Sequence, residues 1–150
     1  MITYAAQILE GIFELKKKKI IHRDLRLCNI LLHNGEVRFS DFDTAFIGGK
    51  STWKDVKNGI DIETSPPEII ELASKPDEDL MRYDPEELYQ RQEKSDHYFF
   101  GLALFKMIYG YNYEKINKST LENIISEMIN VSDHSPKLLE LMAACLEERS

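Results

Sequence analysis

Cysteine is scarce. The 150 residues hold two, Cys28 and Cys145, far apart and at no metal-ligand spacing. That excludes a disulfide scaffold and a thiolate metal site, and it reads as reduced, intracellular thiols. Glycine and proline are few and follow no period, which excludes a collagen-like or low-complexity chain. No apolar run approaches the roughly 18 residues of a membrane span. The N-terminus lacks the basic start, apolar core and small-residue cleavage site of a signal peptide. The expectation is therefore an intracellular, cytoplasmic chain with no membrane partner. A basic excess is missing as well. The net charge of −7 argues against a nucleic-acid partner, which needs a basic footprint.

Apolar residues make up 43% of the chain, enough for the core of one domain spanning residues 1–150. The charge is unevenly spread. Residues 1–60 are net +3, residues 61–96 net −8 and residues 97–150 net −2. The acidic excess thus lies in one central stretch. It suits a solvated helix face or, alternatively, a contact surface for a basic partner.

Helical periodicity over residues 2–15 (Ile2, Ala5, Ala6, Ile8, Leu9, Ile12, Phe13, Leu15) predicts an amphipathic helix, closed by the lysines 16–19. Ile20-Ile21 is a short extended entry to a polar loop. Asn34-Gly35 between two apolar runs predicts a hairpin over residues 30–39. Residues 40–65 show no sustained period and read as a long loop. Pro67 to Ala73 reads as a short helix, and Asp84-Pro85-Glu86-Glu87 as the start of another. Residues 96–109 are apolar nearly all round, which predicts a buried central helix, with Gly110 as its cap. Ser119-Thr120-Leu121-Glu122 is a capping box. Ser135-Pro136 opens a last helix with Leu138, Leu139, Leu141, Met142, Cys145 and Leu146 inward. The class is mainly α with a small β-hairpin.

The sharpest chemical feature is His22-Arg23-Asp24-Leu25-Arg26-Leu27-Cys28-Asn29, which fits H-R-D-L-x-x-x-N. Asp41-Phe42-Asp43 follows the hairpin. A loop, a hairpin and a second loop can bring Asp24, Asn29 and Asp41 to one open cleft. Three oxygen-bearing side chains there suit Mg²⁺, a hard cation that keeps water and phosphate oxygens as its other ligands. With these residues the chain resembles the C-terminal lobe of a eukaryotic-type protein kinase, nearly end to end. Asp41-Phe42-Asp43 stands where such kinases have D-F-G. Ser65-Pro66-Pro67-Glu68 is similar to the A-P-E that closes an activation segment. Asp96 to Gly101 is similar to D-x-W-x-x-G, with Tyr98 for Trp. Residues 41–68 would be the activation segment.

The resemblance implies ATP and Mg²⁺ as cofactors, a protein substrate and transfer to Ser or Thr. It implies that Asp24 accepts or orients the proton of the substrate hydroxyl. Arg26 would place positive charge on the transferring phosphoryl group, and Asn29 and Asp41 would hold Mg²⁺. Arg23 would pair with a phosphate in the activation segment, on Thr44, Ser51, Thr52, Thr64 or Ser65. His22, Glu68 and Asp96 would support the loop by packing and hydrogen bonding, and Cys28 would be a small buried filler. Four departures stand out. Asp43 replaces a glycine, which would strain a position needing positive φ. Glu68 and Asp96 lie 28 positions apart, so residues 77–92 read as an inserted acidic helix. The sequence has no G-x-G-x-x-G, no V-A-I-K lysine and no helix glutamate to pair with it, so the N-terminal lobe is missing. It also stops short of the arginine that would pair with Glu68. Two other readings keep the fold. One is a pseudokinase or lone lobe that binds partners through segment 77–92. The other is a small-molecule phosphotransferase of the kinase-like superfamily, which D-F-D suits.

Overall fold

The computed structural model describes residues 2–61, 64–109 and 136–146. Helix α1 (Ile2–Lys17) follows the predicted period and runs two residues further. Ala5, Ile8 and Ile12 form its buried stripe, whereas Phe13 faces outward at 58% exposure beneath the Lys17 ammonium, 4.5 Å from its ring centre. Lys16 and Lys17 occupy the last turn, where the helix dipole favours cations. Lys19 at φ 54° turns the chain into strand β1 (Ile20–Ile21).

A 3₁₀ turn (Leu27–Asn29) leads into the hairpin of β2 (Ile30–His33) and β3 (Glu36–Phe39). Its register pairs Ile30 with Phe39 and His33 with Glu36. Asn34 and Gly35 both take positive φ, 52° and 81°, the two-residue turn that matches strand twist. Gln7 ties the hairpin to α1. Its Oε1 accepts the Val37 N–H at 2.8 Å, and its Nε2 donates to the Gly35 carbonyl at 3.3 Å. Gly11 makes room for the same contact, since a Cβ there would lie 2.7 Å from Phe39 Cε2.

Residues 40–65 are more ordered than their lack of period suggested. Strand β4 (Phe46–Ile47) pairs antiparallel with β1, Ile21 opposite Phe46. Helix α2 (Trp53–Val56) opens where Asp55 accepts the Thr52 N–H at 2.7 Å. The elements are too short to carry a readable period. Phe46 and Val56 are nevertheless fully buried.

Helix α3 (Pro67–Ser74) lies where expected. The acidic stretch is two helices rather than one, α4 (Asp77–Leu80) and α5 (Pro85–Gln92). Leu80, Leu88, Tyr89 and Gln92 are buried, so the stretch is part of the packed structure and not a solvated appendage. Its charges largely meet partners within the chain. Asp77 pairs with Lys57, Asp79 with Arg82 and Glu86 with Lys19, while Asp84 and Glu87 cap each other. The lysine-rich end of α1 thus faces the acidic helix.

Helix α6 (Ser95–Tyr109) is the shielded central helix, with Phe99, Phe100, Ala103, Leu104 and Phe105 inward. Helix α7 (Pro136–Leu146) packs on it through Met142 and Leu146. Gly101 permits that approach, because a Cβ there would lie 2.8 Å from Leu146 Cγ. Gly110, the capping box at Ser119, Ser135 and the side chains of Leu138 and Leu139 lie outside the described residues. Two apolar clusters result. One joins α1, Leu25, α6 and α7; the other joins Ile21, Phe46, Val56, Leu72, Leu80, Leu88 and Tyr89.

Candidate functional site

The polar loop after β1 crosses between the two clusters. Ile21 is buried in one and Leu25 in the other, so both ends of His22-Arg23-Asp24 are pinned by apolar contacts. Asp96, in the first turn of α6, fixes the backbone between them. Its Oδ2 accepts the His22 N–H at 2.8 Å and its Oδ1 the Arg23 N–H at 2.9 Å. Burial pushes the Asp96 carboxyl up from its ordinary range, and those two N–H donors oppose the shift. The His22 ring donates from Nε2 to the Ser40 carbonyl at 3.0 Å and stacks obliquely on Phe42, centroids 4.5 Å apart. His22 and Asp96 thus support the loop, as the sequence suggested.

Arg23 does something other than expected. It is buried, at 5% exposure, with φ 65°. Nε donates to the Thr44 carbonyl at 2.6 Å. Nη1 donates to the Val56 carbonyl at 3.0 Å and to Gln92 Oε1 at 3.2 Å. Nη2 donates to the Asp55 carbonyl at 2.9 Å and to the Asn58 carbonyl at 3.1 Å. A guanidinium has five N–H groups, and all five are used. Removal from water pulls its pKa down to about 10, against the opposing charges of Asp55 and Asp96. A phosphate on the segment finds no free N–H here, so the expected pairing is not the geometry observed.

Asp24, Arg26 and Asn29 come together. The 3₁₀ turn swings Asn29 back, and its Nδ2 donates to Asp24 Oδ2 at 2.8 Å and to the Asp24 carbonyl at 2.9 Å. Arg26 grips the same carboxylate with two N–H groups, Nε to Oδ1 at 2.6 Å and Nη2 to Oδ2 at 2.9 Å. Hydrogen bonding to Asp24 raises the Arg26 guanidinium above its ordinary value. The fork therefore rests on the carboxylate of its own loop. Its Nη1 hydrogens and the remaining hydrogen of Nη2 are left for another anion. Asp24 is only 15% exposed and Arg26 45%, so the carboxylate is held from behind while the cation faces water.

Asp41 makes no hydrogen bond or ion pair with these three among the described residues. It is exposed and sits at φ 62°. The hairpin returns it to the neighbourhood of Asn29, since Ser40 N–H donates to the Asn29 carbonyl at 3.0 Å. With Nδ2 turned onto Asp24, Asn29 has Oδ1 left for a cation. Among the described residues no three His, Cys, Asp or Glu side chains cluster as a resident metal site would. One exposed carboxylate and one amide oxygen fit Mg²⁺ that arrives with phosphate oxygens and keeps its own waters. The φ values also move the glycine question. The left-handed position is Asp41, and Asp43 is not among the positive-φ residues, so Asp43 adds no such strain.

Cys28 is exposed rather than a buried filler. Gln92 was not singled out in the sequence, yet it is fully buried on Arg23. The available signal was its spacing: four residues after Leu88, it shares that residue's inward face.

The family model of the protein kinase domain matches residues 1–150. MAP kinase kinase kinase wis4 of Schizosaccharomyces pombe is 36% identical over 75 residues, which cover 49% of this chain and 5% of that protein. The chain therefore spans a small fraction of the length of this curated relative. With the family match running from end to end, the chain belongs to the protein kinase domain family.

Proposed function

We propose that residues 1–150 form the C-terminal, catalytic lobe of a protein kinase that transfers the γ-phosphoryl group of ATP to a Ser or Thr hydroxyl of a protein. The observation that carries this reading is the Asp24–Arg26–Asn29 cluster, with Asp41 returned by the hairpin to the same end. Phosphoryl transfer needs positioning and charge stabilisation more than covalent chemistry. Asp24, held by three N–H donors, orients the substrate hydroxyl and accepts its proton. Arg26 offers its free N–H groups to the phosphoryl oxygens while its other two stay on Asp24. Asn29 Oδ1 and the Asp41 carboxylate hold Mg²⁺, which when bound neutralises phosphate charge. Leu31, Leu32 and Phe42 (49%, 58% and 43% exposed) leave apolar surface on the hairpin and beside Asp41, available to a nucleotide and an N-terminal lobe. In this reading residues 41–68 are the activation segment. The similarity to a MAP kinase kinase kinase supports a protein substrate over a small molecule. The pairing of the acidic helices within the chain leaves less to support a purely partner-binding lobe.

The test is phosphate transfer to a generic Ser/Thr substrate by this chain joined to an N-terminal kinase lobe. Asp24→Asn and Asp41→Asn should each lower the rate by about 10²–10⁴-fold. Residues 1–150 alone should transfer negligibly. Full activity in Asp41→Asn, or none in the parent, would remove the catalytic reading and favour the pseudokinase.

A further inference from the structure

The geometry around Arg23 points to an activation segment that is positioned without phosphorylation: Arg23, with Gln92 of α5 as its positioning partner, holds residues 44–58 through their backbone carbonyls. The five acceptors come from three separate stretches, namely Thr44, the Asp55–Asn58 turn and α5. All are neutral, and among the described residues Arg23 forms no ion pair. Its guanidinium lies 5.7 Å from the Phe46 ring centre, so one face of the hub is apolar. A phosphate entering here would have to displace carbonyls that are then left buried and unpaired, a loss that offsets the gain in charge.

The segment's hydroxyls tell the same story. Thr44 Oγ1 donates to the His22 carbonyl at 3.1 Å, and Ser51 Oγ accepts the Ile47 N–H at 2.8 Å. Thr52 and Thr64 donate to Asp55 and Asp61 at 3.2 and 2.9 Å, and Ser65 is buried. A phosphoryl group on Thr44, Thr52 or Thr64 would remove the donated hydrogen of a bond that shapes the segment, and on Thr52 or Thr64 it would also meet a carboxylate. Gly59 closes the turn against Thr44 at φ 65°, where a Cβ would clash with the Thr44 side chain. Gln92 has its orientation fixed by Nε2 donating to the Leu88 carbonyl at 2.9 Å, which aims Oε1 at Arg23. The residue next to Arg23 is Asp24, so α5 reaches the candidate site through one side chain.

The experiment measures amide hydrogen exchange of residues 53–59 in the full chain, and needs no catalysis. A negative result here therefore leaves the phosphoryl-transfer reading untouched. The unphosphorylated chain should protect these amides and show a slowly exchanging Arg23 Nε–H resonance. Phosphoserine installed at Ser51 should neither raise the protection nor shift that resonance. Gln92→Met, which keeps the shape and removes both the acceptor for Arg23 and the donor to the Leu88 carbonyl, should speed exchange of this stretch about five- to tenfold. Gln92→Glu, which keeps the acceptor for Arg23 but loses the donor to the Leu88 carbonyl, should restore part of the protection. Protection that is absent until Ser51 is phosphorylated would overturn the inference. So would Gln92→Met exchanging like the parent, or Gln92→Glu exchanging like Gln92→Met.

Discussion

The two apolar clusters differ in how they are made. The α1–α6–α7 cluster is built from three helices of eleven or more residues packed through apolar side chains. The second cluster gathers Ile21, Phe46, Val56, Leu72, Leu80, Leu88 and Tyr89 from six elements, two of them two-residue strands and two of them four-residue helices. Such pieces are too short to persist alone, because helix nucleation is costly and a lone pair of strands is marginal. Arg23 supplies what the pieces lack, a polar centre that ties α2 and α5 to the loop before β4. The loop bearing Asp24 runs along the seam, with Leu25 in the first cluster and Ile21 in the second. Rigidity at the candidate site is thus borrowed from one side as packing and from the other as hydrogen bonds.

The comparison can be broken most severely on the packed side. Phe105→Ala, at a position 1% exposed, should lower stability by about 3–5 kcal/mol in denaturant unfolding. A loss below about 1 kcal/mol would show that α6 is not the structural centre. Gly101→Ala should cost less. Overpacking against Leu146 and Cys145 costs about 1–3 kcal/mol, and helix propensity returns about 1. Shortening the partner by Leu146→Ala should make the Gly101→Ala penalty smaller, which a double-mutant cycle reads directly.

The same contrast decides what was legible in the sequence. The packed side announced itself: Ala5, Ile8 and Ile12 recur at helical spacing, and residues 96–109 are apolar nearly all round. Asn34-Gly35 marked the hairpin because only certain residues take its positive φ without cost. The loop motif brought Asp24, Arg26 and Asn29 forward, and the hairpin made the return of Ser40, beside Asp41, to Asn29 readable. The second cluster stayed hidden. Phe46 and Val56 sit in elements shorter than any period, and their burial depends on contacts with residues 21, 72 and 88. The role of Arg23 was misread for a related reason. Its acceptors are backbone carbonyls, which every residue has and no sequence displays. Cys28 was misplaced because burial frequencies describe residue types and not this exposed turn.

On the hydrogen-bonded side, the cap of α5 is the next lever. Asp84 Oδ1 accepts the Glu87 N–H at 2.8 Å, and Glu87 Oε2 accepts the Asp84 N–H at 3.1 Å. Asp84→Ala should cost about 0.5–2 kcal/mol. If the second cluster opens separately from the first, the loss will show as faster amide exchange in α5 and around Val56, with α6 unchanged. Equal acceleration in α6 would mean that the two clusters unfold together.

The smallest effect expected is a pH dependence at the rim of the second cluster. Glu68, half-buried in the first turn of α3, is within 3.4 Å of the Ser95 hydroxyl, which donates to it. Burial pushes its carboxyl up from the ordinary range, and its own backbone N–H, Ser95 and the charge of Lys94 pull it back less strongly. A raised folded-state value means that the folded chain holds the proton more readily than the unfolded chain. The associated stability is fully present below the unfolded value, about 4.3, and is lost as pH rises through the folded value. At neutral pH the ionised Glu68 is therefore a burden that glutamine would not carry. Glu68→Gln should melt at a higher temperature than the parent near pH 7.5, and the gap should close as pH falls toward 4. Asp96 shares the direction of shift but not the outcome. Each of its oxygens accepts a backbone N–H, and asparagine can replace only one, so Asp96→Asn should destabilise across the whole range. A Glu68→Gln gap that stays constant with pH would show that desolvation of this carboxylate does not act on stability.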